Sequence, residues 1–395
     1  MINIAIVGTG NISHRHIKAI KGFSERCKIV ALVDIYPEKA EEKKKSYELD
    51  NARVYKSHKE MLADSAALDL HVVDVCTPPY VHAEITIDSL DAGFHVLCEK
   101  PMAASLEECD AMIAAQKRSG KTLSIIAQNR FTDAFWRLKK AVDSGLAGKV
   151  CHAQVDSFWW RGHSYYDLWW RGTWEKEGGG CTLNHAVHHI DAIQWLLGSP
   201  SEVVSVMSNV AHDNAEVEDL NAAIFKYPNG ALTQLTASVV HHGEEQKIII
   251  QGEKARISAP WAVHASVAAE NGFPQAEHDV ALESELNHLF NATEKLTWTL
   301  HPGQIDDFLT AIEKNQPPLI DGEEGKRSLE LITAIYKSAI TRTVVTLPIN
   351  PQDDFYRTGG LVALAPHFYE KSASVSNFKE VNEIPLGRNL DQSSK

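Results

Sequence analysis

Residues 2–13 read INIAIVGTGNIS, and this stretch decides the fold of the first part of the chain. The apolar, β-branched run at 2–7 predicts a buried strand, and a helical pattern begins near Ser13. Between them, Gly8 permits a tight turn, and Gly10 lets backbone N–H groups approach a pyrophosphate at the helix N-terminus. Ser13 replaces the third glycine of the fingerprint G-x-G-x-x-G, which we expect to loosen helix–strand packing slightly. The stretch predicts a dinucleotide-binding turn.

A second predicted strand, at 28–33, ends at Asp34. This is about the distance past the glycines at which an acidic residue reaches the ribose hydroxyls of a bound dinucleotide. Its carboxylate would accept hydrogen bonds from both ribose hydroxyls and would repel the 2′-phosphate of NADP. Neither Ile35 nor Tyr36 supplies a cation to offset this repulsion. The alternative is an aspartate that only starts the turn before Pro37. We expect NAD as the cofactor, with NADP disfavoured.

Predicted strands and helices continue to alternate after Asp34. Strands are expected at 71–76, 95–98 and 122–126, with helices around 38–48, 81–92 and 104–119. Short apolar strands separated by helices are typical of a doubly wound parallel sheet with helices on both faces. We predict a Rossmann domain at residues 1–126.

Polar motifs follow two of these strands, at the sheet edge where ligands of open parallel sheets bind. The sequence TPPYVH at 77–82 follows one strand, and Glu99-Lys100-Pro101 follows the next. Pro101 fixes the local backbone and directs Lys100 off a rigid edge. A lysine crowded by a pyridinium ring gives up its proton more readily, which suits proton exchange with a substrate hydroxyl. The alternative is a surface Glu–Lys pair of little consequence.

A second glycine-rich stretch, EGGGCTLNHAVHHID, occupies residues 177–191. Its apolar residues recur at helical spacing, so one face should be buried while Asn184, His188 and Asp191 line a neighbouring stripe. That spacing would bring an amide, an imidazole and a carboxylate together. The alternative is a glycine turn followed by a helix whose histidines are structural.

The segment at 158–174, FWWRGHSYYDLWWRGTW, holds five of the nine tryptophans. Aromatic rings stack on the C–H face of a pyranose or cyclitol, while Arg, His and Tyr side chains reach its hydroxyls. We therefore expect a specificity loop, with Arg161, Tyr165, Trp170 and Arg171 as substrate-binding residues. The alternative is an apolar seam between subunits or domains.

From residue 203 onward, strands follow one another without helices between them. Runs at 203–209, 220–227 and 231–240 alternate between apolar and polar residues, with a hairpin turn at 228–230. We predict an α+β domain with an open, mainly antiparallel sheet at residues 127–350. A polar C-terminal extension at 351–395 follows. We expect it to form an arm to a neighbouring subunit, with a disordered end after about Pro385.

The composition, 44% hydrophobic and 23% charged over 395 residues, is that of an ordinary globular protein. The net charge of −13 disfavours nucleic acid and anionic membranes as partners, since both bind basic surfaces. The six cysteines show no C-x-x-C pair, which disfavours a zinc knuckle or a disulfide framework. The sequence begins with a predicted strand, without the basic and apolar regions of a signal peptide, and no apolar run approaches about eighteen residues, so we expect a cytoplasmic protein.

The sequence resembles a known family through several motifs that occur in a fixed order. They are the two glycines of the first turn, Thr77-Pro78 through His82, Glu99-Lys100-Pro101, the glycine run and His188-x-x-Asp191. The family is the glucose–fructose oxidoreductase / inositol dehydrogenase (Gfo/Idh/MocA) family, and the resemblance covers about residues 1–345. It implies an NAD(P)-dependent oxidoreductase that transfers a hydride between nicotinamide and a secondary alcohol or ketone. The substrate class it implies is a sugar, sugar derivative or inositol.

The resemblance also implies roles for individual residues. Lys100 would hydrogen-bond the reacting hydroxyl, and His188 would act as the acid or base. Many members have Asp at the position of Asn184, but an amide can still hold a sugar hydroxyl, so Asn184 and His188 are expected to touch substrate. The expected cofactor-binding residues are Gly8, Gly10, Asn11, Ile12, Asp34, Thr77, Pro78, His82, Glu99 and Lys100. The open sheet is the usual subunit interface of the family, which implies a homodimer or homotetramer.

Two alternative functions come from other classes of protein. His185 and His189 are an i, i+4 pair, and with Asp191 they could hold zinc or manganese in a metal-dependent sugar isomerase or hydrolase. Against this, the glutamate of the H-E-x-x-H motif is absent. The other alternative is a nucleotide-binding sensor without chemistry, which the presence of both Lys100 and His188 disfavours.

Overall fold

The computed structural model describes residues 1–371 and 374–375. The chain divides into two compact units, and each is discontinuous in sequence. The first comprises Met1–Gln128, Thr297–Leu329 and Pro351–Gly360. The second comprises Asn129–Leu296, Glu330–Asn350 and the described residues from Leu361 onward. The continuous domains expected at 1–126, 127–350 and 351–395 stay a prediction.

The first unit contains a six-stranded parallel sheet. Its strands are β1 (Ile2–Val7), β2 (Cys27–Val33), β3 (Arg53–Tyr55), β4 (Val72–Val75), β5 (His95–Cys98) and β6 (Leu123–Ile125), in the spatial order β3-β2-β1-β4-β5-β6. The helices between them are α1 (Ser13–Gly22), α2 (Pro37–Ser46), α3 (His58–Ala63), α4 (Ser65–Leu68), α5 (His82–Asp91) and α6 (Leu106–Ser119). Every residue of β4 is buried, as expected for a parallel strand covered on both faces. The Rossmann prediction is confirmed.

Local capping explains where several helices begin. The side chain of Ser57 accepts from Glu60 N at the start of α3, and that of Ser105 accepts from Glu108 N at the start of α6. These bonds satisfy backbone N–H groups that have no partner inside the helix. Glu60 and Glu108 also place negative charge in the first turn, where the helix dipole favours it.

The second unit contains an eight-stranded open sheet. Its strands are β7 (Val150–Phe158), β8 (Glu202–Ser208), β9 (Leu220–Lys226), β10 (Leu232–Ser238), β11 (Gln246–Gly252), β12 (Arg256–Ala259), β13 (Ala262–His264) and β16 (Val345–Thr346), in the order β13-β12-β11-β7-β10-β9-β8-β16. The pair β7–β10 is parallel, and the other six pairs are antiparallel. β14 (Ser266–Ala268) and β15 (Pro274–His278) form a separate hairpin. The predicted open, mainly antiparallel sheet is confirmed.

Helices of the second unit include α7 (Asp133–Asp143), α8 (Cys181–Asn184), α9 (Val187–Leu197) and α10 (Val280–Ala292). α11 (Leu300–Lys314) belongs to the first unit, where Ile305, Phe308 and Leu309 pack with Ile17 and Ile20 of α1 into a fully buried core. α12 (Gly322–Thr341) divides between the units after Leu329. No described helix is both long and apolar enough to span a membrane.

The described part of the C-terminal extension binds its own chain. Phe355 and Tyr356 are buried within the first unit, and α13 (Gly360–Leu364) follows them. In the second unit, the extension bonds to the predicted specificity loop. The indole N–H of Trp174 donates to Pro366 O at 3.0 Å, and Val375 N donates to Asp167 O at 2.8 Å. The expected arm to another subunit stays a prediction, and the disordered end expected after Pro385 lies outside the described residues.

Candidate active site

The first turn of the Rossmann unit has the shape that a dinucleotide pyrophosphate requires. Gly8 has a φ of +96°, and a β-carbon there would lie 2.6 Å from Cys76 O, so only glycine fits. A β-carbon at Gly10 would meet nothing within 4 Å, which leaves open space beside the backbone. α1 begins after Ile12 without a side-chain cap, so its N-terminal dipole is not already neutralised by one. These features fit an NAD pyrophosphate.

Ser13 adds a hydrogen bond within this turn, and its expected effect on helix–strand packing stays a prediction. Its side chain is fully buried, and its hydroxyl donates to Gly10 O at 2.7 Å. A glycine at this position could not form that bond. The hydroxyl therefore closes the turn.

Asp34 is held beside the same turn. One carboxylate oxygen accepts from Thr9 N at 2.9 Å and from the Thr9 hydroxyl at 2.7 Å, and the other accepts from Tyr36 N at 3.0 Å. These bonds fix the carboxylate at the carboxyl end of β2, where a ribose is expected. The position is only partly buried, so it is accessible to a ligand.

His82 joins the loops that follow β4 and β5. Its ring is fully buried, with Nε2 2.7 Å from Thr77 O and Nδ1 2.9 Å from Pro101 O. Burial lowers the pKa of His82, whereas its contacts with the Thr77 and Pro101 carbonyls favour the protonated ring. Since both nitrogens already face carbonyl oxygens, His82 would affect a cofactor through the Thr77-Pro78 loop and the Glu99-Lys100-Pro101 turn that it holds.

A buried charge network lies beneath the Glu99-Lys100-Pro101 turn. His16 of α1 places Nδ1 2.9 Å from an Asp74 oxygen and Nε2 3.0 Å from Oε1 of Glu99. The other Glu99 oxygen accepts from the backbone N–H of Lys100 at 3.0 Å, and Nε2 of His301 lies 3.7 Å from Oε1. The network thus connects the turn that carries Lys100 to three other elements, α1, β4 and α11.

The pKa shifts in this network favour the charged form of both partners. Burial disfavours the charged ring, but the Asp74 carboxylate outweighs it and raises the pKa of His16 well above its ordinary value. Burial likewise disfavours the Glu99 carboxylate, but its contacts with His16 and His301 hold its pKa well below the usual range. These directions favour an imidazolium at His16, between the carboxylates of Asp74 and Glu99.

We expect His16→Gln to destabilise the protein most between about pH 4.5 and 6.5. The Glu99 pKa is lowered, so its stabilisation is present above the unfolded-state value of about 4.3 and is lost as pH falls through the folded value. The His16 pKa is raised, so its stabilisation is complete below about 6.5 and is lost as pH rises through the folded value.

Removing one partner of a buried pair costs about 3–5 kcal/mol within that window. Urea unfolding of the wild type and the variant across a pH series measures the difference. The exposed residue His152 supplies the control variant His152→Gln. A difference that is constant with pH would contradict the charged network.

In the second unit, Glu218 holds the glycine run. Its carboxylate accepts from Gly180 N and Thr182 N, each at 3.0 Å, and from the hydroxyl of Tyr336 at 2.9 Å. A β-carbon at Gly180 would lie 1.8 Å from Glu218 O, so the close approach requires glycine. Burial raises the pKa of Glu218. This buried carboxylate fixes the start of α8.

Asn184 and His188 are the accessible polar residues of the segment that follows. Across residues 181–194, all of them described, these two alone are partly exposed, and the other twelve are buried. The Asn184 amide N–H donates to Gly179 O at 2.8 Å and to Gly180 O at 3.2 Å, which sets the direction of the side chain. The predicted pairing of the amide and the imidazole is therefore consistent with the exposure of this segment.

Asp191, the third polar residue of the predicted stripe, has a buried partner. It is buried and forms a two-pronged salt bridge with Arg130, at 2.8 Å to Nε and 2.7 Å to Nη2. Both carboxylate oxygens are thus bound to a guanidinium, which is a structural arrangement. Arg130 therefore anchors α9 through Asp191.

The hypothetical metal site at His185 and His189 is not supported by this geometry. Among the described residues, neither histidine belongs to a group of three metal-ligating side chains whose ligand atoms approach within 4.8 Å of one another. His189 packs edge-on against Phe135 and Trp159, and burial lowers its pKa to about 4. His185 lies between the rings of Trp159 and Tyr165, at centroid distances of 5.6 and 5.7 Å.

The predicted substrate-binding residues form one cluster. The Arg171 guanidinium lies 4.3 Å from the ring centres of both Tyr165 and Trp170, and Arg161 lies 5.7 Å from that of Tyr165. Arg171 also donates to Glu177 at 2.7 Å. Because Tyr165 packs on His185, the cluster adjoins the helical segment that carries Asn184.

Several residues of the site have no local sequence signal. His16, Asp74 and His301 are far apart in the chain, as are Glu218 and Tyr336, and no motif connects them. The signal that could have pointed to His16 is a histidine on the apolar face of α1, where the other buried residues include Ile17 and Ile20. A polar residue at such a position requires a buried partner.

Comparisons with known proteins agree with this architecture. The family model for the Gfo/Idh/MocA oxidoreductases with an NAD-binding Rossmann fold matches residues 2–127, and that for their C-terminal α/β domain matches residues 139–347. The chain is 25% identical to 2,7-anhydro-N-acetylneuraminate hydratase of Mediterraneibacter gnavus, covering 85% of this chain and 94% of that protein. It is also 25% identical to myo-inositol 2-dehydrogenase of Thermotoga maritima, covering 88% and 98%.

A solved structure is similar over the same range. The WlbA dehydrogenase from Chromobacterium violaceum, in complex with NADH and UDP-GlcNAcA, is 30% identical and superposes with a TM-score of 0.76. The match covers 88% of this chain and 96% of that one. On the family models that match both parts of the sequence, this chain belongs to the Gfo/Idh/MocA family of oxidoreductases.

Proposed function

We propose that the protein is an NAD-dependent dehydrogenase that oxidises a secondary alcohol of a sugar, sugar derivative or cyclitol, or reduces the corresponding ketone. The observation that carries this proposal is the exposure of Asn184 and His188 on an otherwise buried segment of a chain with an NAD-binding turn. Buried polar residues serve stability, whereas an accessible amide on α8 and an accessible imidazole on α9 can serve a ligand.

Two residues carry the proposed proton chemistry. When bound, NAD would supply the hydride acceptor for the carbon that is oxidised. His188 accepts the hydroxyl proton, because neutral imidazole is a base at pH 7. The ammonium group of Lys100 binds the same hydroxyl and stabilises the negative charge that develops on its oxygen. Asn184 orients the substrate, and its amide N–H groups, which donate to Gly179 O and Gly180 O, set the direction of its side chain.

The proposed preference for NAD over NADP rests on Asp34. The carboxylate that Thr9 and Tyr36 hold at the end of β2 would lie beside the additional phosphate of NADP. Like charges about 4 Å apart repel by roughly 1–4 kcal/mol between bulk water and a protein surface. Asp34→Ala should therefore narrow the preference, chiefly by strengthening NADP binding.

Calorimetric Kd values for NAD and NADP, measured on the wild type and Asp34→Ala, test this preference. Lys39 is a cation near Asp34 that would attract the 2′-phosphate of NADP and so oppose the repulsion by Asp34. Its ammonium lies 4.7 Å from the ring centre of Tyr36. Lys39→Ala serves as the matched comparison and should weaken NADP binding alone. Equal Kd values for the two cofactors in the wild type would refute the preference.

A free sugar or cyclitol is the substrate class that the aromatic cluster favours. Arg171 is paired with Glu177 at 2.7 Å, and Arg161 with Glu244 at 2.6 Å. These carboxylates compensate both guanidinium charges, which weakens the attraction for a diphosphate. Tyr165 and Trp170, whose rings both contact the Arg171 guanidinium, supply aromatic surface that is suited to a sugar face.

A substrate panel of free sugars, cyclitols and nucleotide sugars, read by the absorbance of NADH, tests the proposal. Substrate loss should be followed by mass spectrometry as well, because one relative is named a hydratase and a hydratase need not accumulate NADH. Turnover of 2-hydroxy acids or amino acids alone would contradict the proposed substrate class.

We further propose a homodimer or homotetramer that forms through the open sheet, in a cytoplasmic protein. On the outer face of β8, β9 and β10, the aliphatic side chains of Val204, Val206, Ile224 and Leu232 are 44–68% exposed. A contiguous apolar patch of this kind is typical of an interaction surface. All six cysteines are free thiols, which suits a reducing compartment.

A further inference from the structure

We propose that His264, His278 and Glu283 form a binding site for a divalent transition-metal ion, with Zn²⁺ as the preferred ion. Nδ1 of His278 lies 3.4 Å from Oε1 of Glu283, and Nδ1 of His264 lies 3.8 Å from the same oxygen. The three ligand atoms all lie within 4.8 Å of one another. The site is separate from the proposed active-site residues and does not depend on the proposed function.

The chain brings the three ligands together from three elements. His264 ends β13, His278 ends β15, and Glu283 lies in the first turn of α10. Pairing of Ser266 with His278 places the end of the hairpin beside the end of β13. The Asp279 side chain then caps α10 by accepting from Leu282 N at 3.0 Å, which directs the first turn of the helix toward the histidines.

The Glu283 carboxylate is held in place by the backbone. Its Oε1 accepts from Ala265 N at 2.7 Å, so the residue after His264 orients the carboxylate. Metal ligands in proteins are commonly oriented by such additional hydrogen bonds. The two imidazole rings meet edge to face, with centroids 4.2 Å apart. Both rings are thus packed into defined positions beside the oxygen.

The spacing fits a shared ion better than direct pairing. An N–H···O hydrogen bond spans about 2.7–3.2 Å, so at 3.4 and 3.8 Å neither ring is hydrogen-bonded to Glu283. Two ligands of one tetrahedral zinc, each about 2.0–2.1 Å from the ion, lie roughly 3.3 Å apart. The two nitrogen–oxygen separations, 3.4 and 3.8 Å, are close to this value, and all three ligand atoms lie within 4.8 Å of one another. Two imidazoles and a carboxylate are ligands that zinc prefers.

The position of the site indicates what a bound ion would do. The side chains of His264 and His278 are 41% and 47% exposed, so an ion can enter from solvent. Every residue of β15 is exposed, and this strand pairs with β14 alone. A hairpin with so little buried surface is marginally stable by itself. A bound ion would cross-link the hairpin to α10 and to the edge of the large sheet.

Zinc titration of the full-length protein, after treatment with EDTA and dialysis, tests this site by calorimetry. We expect one Zn²⁺ per chain, with a Kd weakened at least about tenfold in His264→Ala and in His278→Ala. His288→Ala removes an exposed histidine of α10 outside the cluster and is the matched control. It should retain wild-type affinity. Circular dichroism confirms that each variant is folded.

Limited chymotrypsin digestion provides a second readout, since Phe273 in the hairpin is 69% exposed. Zn²⁺ should slow cleavage at Phe273 in the wild type and in His288→Ala, but not in His278→Ala. The proposal is overturned if the wild type binds no Zn²⁺, or if His264→Ala and His278→Ala bind it as tightly as His288→Ala. EDTA should leave dehydrogenase activity unchanged, which separates this site from metal-dependent catalysis.

Discussion

Lys100→Ala is expected to lower kcat by about 10²–10³-fold while the Kd for NAD changes by no more than a few fold. Preorganised donors to a developing oxyanion contribute about this much to rate, because they act on charge that is present only in the transition state. The backbone N–H of Lys100 is fixed by Glu99, which in turn is bonded to buried His16. The lysine backbone is therefore anchored before substrate arrives, and removing its side chain should leave the turn intact.

The control for this variant is Lys56→Ala, which removes an exposed lysine of the same unit. Its kcat should equal that of the wild type. Single-turnover formation of NADH separates the chemical step from product release. If Lys100→Ala has near-normal single-turnover kinetics, Lys100 does not act on the reacting hydroxyl.

His188→Ala should lower kcat by about 10²–10⁴-fold, the usual contribution of a general base. His188 is partly exposed on α9, so truncation should perturb folding little and leave NAD affinity within a few fold. The variant should also lose the limb of the pH–kcat profile in which protonation of the base slows oxidation. A merely structural residue would not change the shape of that profile.

His185→Ala distinguishes this mechanism from the metal-dependent alternative. His185 packs between Trp159 and Tyr165, so its loss should affect substrate affinity or stability more than the chemical step. Activity that requires an added metal and disappears in His185→Ala would support the alternative. Normal kcat in both Lys100→Ala and His188→Ala would remove the proposed mechanism.

The regular elements could be predicted from the sequence because their signals are local. The apolar run before Gly8 specifies β1 at Ile2–Val7, and the strand expected at 220–227 is observed at Leu220–Lys226. The helix after the glycine run is different: its continuous apolar pattern conceals a break between α8 and α9 at 185–186. Glu218, more than thirty residues away, binds Gly180 and Thr182 and so fixes α8, and no local pattern encodes that contact.

The buried polar contacts around the site could not be predicted from the sequence, because the partners are distant in the chain. Asp191 has the spacing of a functional carboxylate, but Arg130 binds both of its oxygens from 61 residues away. His16 and Asp74 are 58 residues apart, and His16 and Glu99 are 83 apart. Such buried pairs depend on tertiary packing. The exposure of Asn184 and His188 could be anticipated, since neither is one of the apolar residues that recur at helical spacing, although the two residues lie on different helices, α8 and α9.

Direct transfer of hydrogen from substrate carbon to nicotinamide is the central claim, and isotopic labelling tests it most directly. The substrate that the panel identifies would be deuterated at the carbon that is oxidised and mixed with protein and NAD in ordinary water. Mass spectrometry of the reduced cofactor should show NADH heavier by about one mass unit, because the hydride carries the label to the nicotinamide ring. Unlabelled NADH, or loss of the deuterium to water, would contradict the account.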